Sequence, residues 1–334
     1  MNTYVGLDVG ARHVDMAWRQ QGRTAGTAVI TQTPSGHAEA VKRLHALKPT
    51  RVVMEATGMY YLDLARVLDQ AGIPVAAINT KSFHHFAQMK LARSKTDAID
   101  AALLAEYAER MTPPRWTPPT AAQLALRDLG RQINRLTRSG TQAKNRLHAL
   151  QAKGCTLPLL IEDEVEAIAT LHQRIQRLKQ AAREQIAASP TLTAQLAHLV
   201  SARGGGGGGD TSAIALLAEM SVLPTHLKAA QVSRYAGLDV RLYQSGSSVN
   251  QAPRMSKAGN AYLRAALFMP AMSAVCCDPH ARAFYASLQR RGKKKMQALG
   301  AVMRKYLTGL WVCIQHDQDF DSAKLFSKIH FADT

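Results

Sequence analysis

Apolar and polar positions change their period several times over the first hundred residues. "TYVGLDVG", residues 3–10, is an apolar strand that ends in Asp-Val-Gly. "HVDMAWRQ", 13–20, alternates with period two and pairs naturally with it. "GTAVITQT", 26–33, makes a third strand. The period then lengthens to that of an amphipathic helix in "SGHAEAVKRLHAL", 35–47, with Ser35 as the predicted N-cap. "RVVMEAT", 51–57, reads as a buried strand, "YYLDLARVLDQAG", 60–72, as a helix ended by Gly72, and "IPVAAIN", 73–79, as another strand. A basic loop leads from there into a helix opening at Asp97.

Three strands, then helix, strand, helix, strand, helix is the order of an RNase H-like fold. "MTPPRWTPPT", 111–120, is a proline-rich boundary. Residues 121–153 and 158–188 predict two long helices, a hairpin or coiled coil with Arg127, Arg131, Arg135 and Arg138 around apolar positions. Such a pair serves as a dimerising arm, a nucleic-acid rail or a plain solvated helix pair. "RGGGGGGD", 203–210, predicts a flexible turn. The last 120 residues or so read as helical around one Gly/Ser-rich loop, "YQSGSSVNQAPRMSKAGN", 243–260. The expected architecture is α/β plus α: an RNase H-like domain over 1–112, a helical coiled-coil region over 113–192 and a mostly helical domain over 193–334.

Charge narrows the partners. Lys and Arg number 42 against 24 Asp and Glu, a net charge of +18. That excess marks a partner of opposite sign, and nucleic acid leads over a membrane surface. The nearest approach to a membrane span, "AYLRAALFMPAMSAVCC", is interrupted by Arg264 and Pro270. The four cysteines have no CxxC spacing and read as reduced cytosolic thiols. Residues 241–305 carry 12 Lys and Arg and one acid, Asp278. Arg93 and Lys95 in the basic loop, with Arg254, Lys257, Arg264, Lys293, Lys294 and Lys295, are the candidate nucleic-acid contacts.

Four acids stand out in this basic chain. Asp8 closes the first strand, and Glu55 interrupts an apolar strand where an unpaired charge is costly to bury. Asp97 and Asp100, three apart, share one face of a first helical turn. In an RNase H-like sheet the first and fourth strands are adjacent and the last helix crosses their ends, so the four converge. Convergent carboxylates repel unless cations intervene, and two Mg²⁺ ions are the usual remedy. Plainer readings exist: Asp97 as a helix N-cap with Asp100 in the same turn, and Asp8 as part of a turn. "VGLDVGARHVDMAW" also looks like the phosphate hairpin of actin-like sugar kinases, but no second hairpin of that kind opens the rest of the chain.

"GLDVG", "MEATGMYY", "NTKSFHHFAQMKLARSKTDAIDAALLAEY", "YAGLDVRLYQSGSS" and "RMSKAGNAYLRAALFMPA", in this order, resemble the DEDD-type transposases of the insertion-sequence one-ten group. That group includes pilin-gene invertases and bridge-RNA-guided recombinases. The resemblance implies a RuvC-like N-terminal domain, a coiled-coil middle and a C-terminal transposase domain. It maps the metal-binding acids onto Asp8, Glu55, Asp97 and Asp100, with Mg²⁺ (or Mn²⁺) as cofactor. It maps the nucleophile onto Ser245, in "YQSG", with Ser247 and Ser248 as neighbouring alternatives. Attack by this serine would form a phosphoserine link to DNA. The implied partners are donor and target DNA, a non-coding bridge RNA, and further copies of the chain in a dimer of dimers, where Ser245 of one subunit serves the acids of another. The implied location is the bacterial cytoplasm, at the nucleoid. One departure is the glycine run 204–209, which stands where the group carries a "PGIG"-like helix–hairpin–helix turn. The competing readings are a RuvC-like, structure-selective endonuclease without a covalent intermediate, and a non-catalytic nucleic-acid-binding protein.

Overall fold

A five-stranded sheet forms the centre of the first of two units, Met1–Pro118 and Pro119–Thr334, into which the computed structural model divides. The structure describes residues 2–56, 60–91, 96–202, 209–245 and 249–326. The strands are β1 (Thr3–Val9), β2 (His13–Gln20), β3 (Arg23–Thr31), β4 (Arg51–Glu55) and β5 (Val75–Ile78). Helix α1 (Pro34–Leu47) joins β3 to β4, α2 (Tyr60–Gln70) joins β4 to β5, and α3 (Thr80–Met89) and α4 (Asp97–Met111) come after β5. The sheet order is β3-β2-β1-β4-β5, with β2 antiparallel to both neighbours and β1, β4 and β5 parallel. This is the RNase H-like arrangement that the element order predicts.

Burial explains why β4 reads as a continuous apolar run. Val52 and Met54 face a cluster with Leu44, Leu64 and Leu68 from α1 and α2. Val53 faces the other side, with Phe83 and Phe86 of α3 and Leu104 and Tyr107 of α4. A strand covered on both faces keeps no polar alternation.

Two local expectations are corrected. The α1 cap is Thr33, not Ser35: its Oγ1 accepts from the Gly36 N–H at 3.2 Å, and Pro34 occupies the first turn. The stretch expected as a basic loop before Asp97 contains α3, started by Asn79, whose side chain accepts from the Lys81 N–H at 2.8 Å. Phe83 and Phe86, three apart, supply its buried face.

The second unit is helical. It comprises α5 (Ala121–Gln151), α6 (Pro158–Ala187), α7 (Pro190–Ser201), α8 (Gly209–Met220), α9 (Ala229–Tyr235), the strands β6 (Val240–Ser245) and β7 (Val249–Met255), then α10 (Ala261–Ala266), α11 (Phe268–Cys277), α12 (Pro279–Arg290), α13 (Lys295–His316) and α14 (Ser322–Phe326). A capping box between Thr120 and Gln123 starts α5. Near the turn between the two long helices, Arg146 grips Glu164 through two guanidinium nitrogens, at 2.5 and 3.0 Å. Leu126, Ile133, Ala182 and Ile186 root both helices in one core with Tyr306, Leu310 and Trp311 of α13. The Gly/Ser-rich stretch expected as a loop is instead largely the β6–β7 hairpin. Its strands escape a pattern reading because Val240, Leu242 and Tyr243 are all exposed, so no alternation between core and solvent marks them. Pro253 is compatible with β7 because a two-stranded ribbon has only edge strands. Among the described residues no helix is long and apolar enough to cross a membrane, and the four cysteines are free.

Candidate active site

The acids are brought together by a close backbone contact. At Gly6 of β1 the backbone of α4 lies directly on the strand: a Cβ there would fall 2.1 Å from the Ala101 carbonyl oxygen and 2.3 Å from the Ala105 nitrogen. No side chain larger than hydrogen fits between them. Seating Ala101 on Gly6 carries the preceding turn of α4, with Asp100 and Asp97, toward Asp8 two residues along the strand. The parallel register Leu7↔Met54 sets Asp8 beside Glu55 on the neighbouring strand.

The cap of α4 is Thr96, whose Oγ1 accepts from the Ile99 N–H at 3.3 Å. The capping role is therefore not Asp97's, although Asp97 and Asp100 both lie in the first turn of α4, where an acid favours the helix. Asp97 is exposed and Asp100 half-buried within the first turn.

Electrostatics report the convergence. The Asp8 carboxyl is pushed from 3.8 to about 6, first by burial and then by the charges of Asp100, Asp97, Glu55 and Asp15. Asp15 is an acid that sequence reasoning missed. It sits on β2 directly opposite Asp8 in the antiparallel register. Burial and then Asp97 raise its pKa, with His13 opposing. Asp15 occupies a polar position of an alternating strand, so the pattern alone did not set it apart as it did Glu55.

Among the described residues, no three His, Cys, Asp or Glu side chains approach closely enough to form a finished metal cage. The chemistry of the donors nonetheless fits a hard divalent cation: the donors are carboxylate oxygens only, and Asp8, Glu55, Asp97 and Asp100 are the residues that would hold it.

The second predicted element lies on the hairpin. Ser245 is the last residue of β6 and is paired with Val249. Ser247, Ser248, Arg93, Lys95 and glycines 204–208 lie outside the described residues. The base of the hairpin is fixed by contacts between the "YAGLDV" and "RMSKAGN" segments and the helices around them. The Ser256 hydroxyl donates to the Asp239 carboxylate. Gly259 has φ +131, and a Cβ there would meet the Tyr235 carbonyl oxygen at 2.2 Å. Asn260 accepts from the N–H groups of Tyr262 and Leu263, capping α10, and donates to Glu219. Arg131 of α5 holds Glu219 through two nitrogens, at 2.6 and 3.0 Å, and stacks over Tyr262.

Four of the predicted nucleic-acid contacts, Arg254, Lys257, Arg264 and Lys293, line one groove beside this base. Lys294 and Lys295 do not line it; they are exposed at the start of α13. Arg138 and Arg304 do line it, although they are 166 positions apart (304 − 138) and only folding brings them together.

Together an RNase H-like sheet bearing clustered acids and a basic helical unit define a nucleic-acid-processing enzyme, and the comparisons specify which. Residues 5–152 match a family model of the DEDD transposases of the IS110 type, and residues 206–286 match the model described as "Transposase IS116/IS110/IS902 family". The chain belongs to the IS110 family of transposases. The pilin gene-inverting proteins of Moraxella lacunata and Moraxella bovis are 27% and 28% identical to it over 330 residues, covering 96% of this chain and 98% of each relative. A structure of T. thermophilus RuvC in complex with Holliday junction substrate aligns with 34% of this chain and 99% of that one, at 17% identity and a TM-score of 0.29. The chain is thus a transposase and DNA recombinase, and DNA is its partner.

Proposed function

We propose that this recombinase breaks and rejoins DNA through a covalent serine intermediate. Ser245 is the nucleophile, and Asp8, Glu55, Asp97 and Asp100 hold divalent cations, Mg²⁺ or Mn²⁺. The observation that carries the reading is the placement of Asp8: strand register sets it opposite Asp15 and beside Glu55, the contact at Gly6 brings the first turn of α4 toward it, and burial with these charges raises its pKa to about 6. Acids whose pKa values are raised by burial and by one another are characteristic of functional sites, where a ligand can offset the repulsion. When bound, the cations supply charge neutralisation at a phosphodiester undergoing displacement.

The serine step balances. The Ser245 Oγ attacks phosphorus, a P–Oγ bond forms, and one bond from phosphorus to a sugar oxygen breaks. The serine proton passes to the bulk or a nearby base, and the departing sugar oxygen takes one up. The ester count is unchanged, so a sugar hydroxyl of another strand can attack the phosphoserine, reseal the DNA and free the serine without an external energy source. Donor and target strands are both held in a dimer of dimers, with Ser245 of one subunit serving the acids of another. A non-coding bridge RNA selects both DNA sites. The high positive charge and low aromatic content, 6%, suit contacts to nucleic-acid backbones.

The test is a denaturant-resistant protein–DNA adduct. It is expected from the wild type and from Ser247→Ala and Ser248→Ala, and lost in Ser245→Ala together with recombination. An adduct from Ser245→Ala would move the nucleophile elsewhere. Cleavage with no adduct from any form would assign the chain to hydrolytic, structure-selective endonucleases. Sequencing of RNA that co-purifies from cells carrying the whole element tests the guide.

A further inference from the structure

The groove beside the hairpin is more than a basic patch. It encloses about 970 Å³ within the second unit. Arg138, Arg254, Lys257, Arg264, Lys293 and Arg304 line it, and among the described residues no acid does. Its remaining lining is largely apolar, with Val240, Met255, Phe268 and Met296 prominent. Phe268 and Met296 are exposed at 36% and 62%, so they present surface to whatever enters. An all-cationic rim selects a polyanion. An apolar lining of this size is wasted on a phosphate backbone, which is polar throughout. The ligand chemistry that satisfies both is a nucleotide whose base has left the stack: phosphates meet the cations, and the flat base lies on Phe268 and the flexible Met296 thioether.

We propose that this groove holds an unstacked nucleotide of single-stranded DNA next to the point of strand cleavage. The choice of DNA rests on the reading of Ser245 as nucleophile. Val240 lines the groove and Ser245 ends the same strand, five residues and about 17 Å further on. That distance is a few nucleotides of extended strand, so the strand under attack is the one whose neighbouring base reaches the groove. Strand exchange requires base pairs at the crossover to open. A pocket that captures an opened base holds the duplex apart while the ends are exchanged, and so favours the open state by mass action.

The experiment uses the full-length chain carrying Ser245→Ala, so that only binding is read. Affinities are measured for one DNA sequence as a single strand, as a duplex and as a single strand with abasic sites, and for the same sequence as single-stranded RNA. Phe268→Ala with Met296→Ala removes exposed side chains and leaves the cations. It is expected to weaken single-stranded DNA binding about tenfold, within the range one base–aromatic stack supplies. Duplex affinity and the salt dependence are expected to stay unchanged, and the abasic strand to bind both proteins equally. Arg254→Ala with Arg304→Ala is expected to lower every affinity and to flatten the salt dependence.

Unchanged single-strand affinity in the Phe268/Met296 variant overturns the proposal. So does an equal loss on duplex and single strand, which would mean structural damage. A larger loss on RNA than on DNA overturns the choice of DNA and gives the groove to an RNA. These outcomes are independent of the adduct assay: loss of the adduct in Ser245→Ala with an unaltered groove phenotype leaves the nucleophile standing and removes only the pocket, and the reverse result does the opposite.

Discussion

Asp8 and Glu106 are both acids at least half-withdrawn from water in the same unit, and their surroundings push them in opposite directions. Glu106, near the end of α4, is buried. Burial alone would raise its pKa, but hydrogen bonds from Lys90 at 2.9 Å and Arg110 at 2.6 Å outweigh it and hold the carboxyl below the usual range. Glu109, three residues on, forms an ion pair with Arg19 at 3.0 Å. Asp8, near the start of the same helix, has acids where Glu106 has cations, and its carboxyl is pushed up to about 6. Among the described residues no cation pairs with Asp8, Glu55 or Asp97. An acid neutralised by its own chain has finished its work once the chain is folded. An acid surrounded by acids is relieved by a proton or by a cation from outside, which separates the two acids that flank the ends of α4.

The contrast can be broken most directly at Asp97. Asp97→Asn is expected to reduce strand cleavage below about one hundredth of wild type while DNA affinity stays near its original value, since one of the proposed metal ligands is lost and the basic surface is untouched. Cleavage assays in Mg²⁺ beside a binding isotherm check both halves; retained cleavage would dissolve the distinction. Glu106→Gln should behave the opposite way. Leaving Lys90 and Arg110 without their common partner is expected to cost about 1–3 kcal/mol in thermal or denaturant unfolding, with cleavage per folded molecule retained.

Asp8→Asn sharpens the comparison from the other side. Without divalent cations it relieves repulsion, so the first unit is expected to gain on the order of 1 kcal/mol, the shift being discounted for the partial exposure of the group. The same variant should lose most of the stabilisation that Mg²⁺ gives the wild type. Paired melts in chelator and in Mg²⁺ would show a crossing of the two proteins.

The smallest effect is in the pH dependence. Asp8 titrates near 3.8 when unfolded and near 6 when folded, so between those values the folded state binds the extra proton. In chelator, stability is expected to rise as pH falls from 7 to 5. Glu106 has the reverse sign: its contribution is present above its unfolded value of 4.5 and is lost as pH falls through the lower folded one, beneath this window. Thermal midpoints at pH 7, 6 and 5, repeated with Asp8→Asn, isolate the Asp8 part, which should vanish in the variant.

The sheet and its strand order were legible because period-two alternation and the buried run of β4 are direct imprints of burial. The convergence of Asp8, Glu55, Asp97 and Asp100 was legible because it derives from that order. Asp15 went unread: its meaning depends on the register that pairs it with Asp8, and register is a property of two strands at once. Thr96 and Thr33 displaced the expected caps because neighbouring capping residues compete over a single position, which spacing alone does not resolve. The β6–β7 hairpin was hidden because both faces of it meet solvent, leaving no burial pattern to imprint. Arg138 and Arg304 stood among many surface cations until the chain brought them to one groove. The likeness to the family located Ser245, which no physical pattern in the loop would have singled out.

The contact of α4 on β1 through Gly6 has one more consequence. Most catalytic side chains stand on elements separated by a layer of interlocking side chains, and that layer yields when its residues change. Here the two backbones touch without such a cushion. The offset between Asp8 and the first turn of α4 is therefore set by the dimensions of the polypeptide itself, like a joint machined without a gasket. Substitutions elsewhere in the core can wear the unit's stability without altering that offset. At position 6 itself even one methyl group would act as a shim: it would have to lift the helix off the strand, spreading the acids and costing the unit stability at the same time.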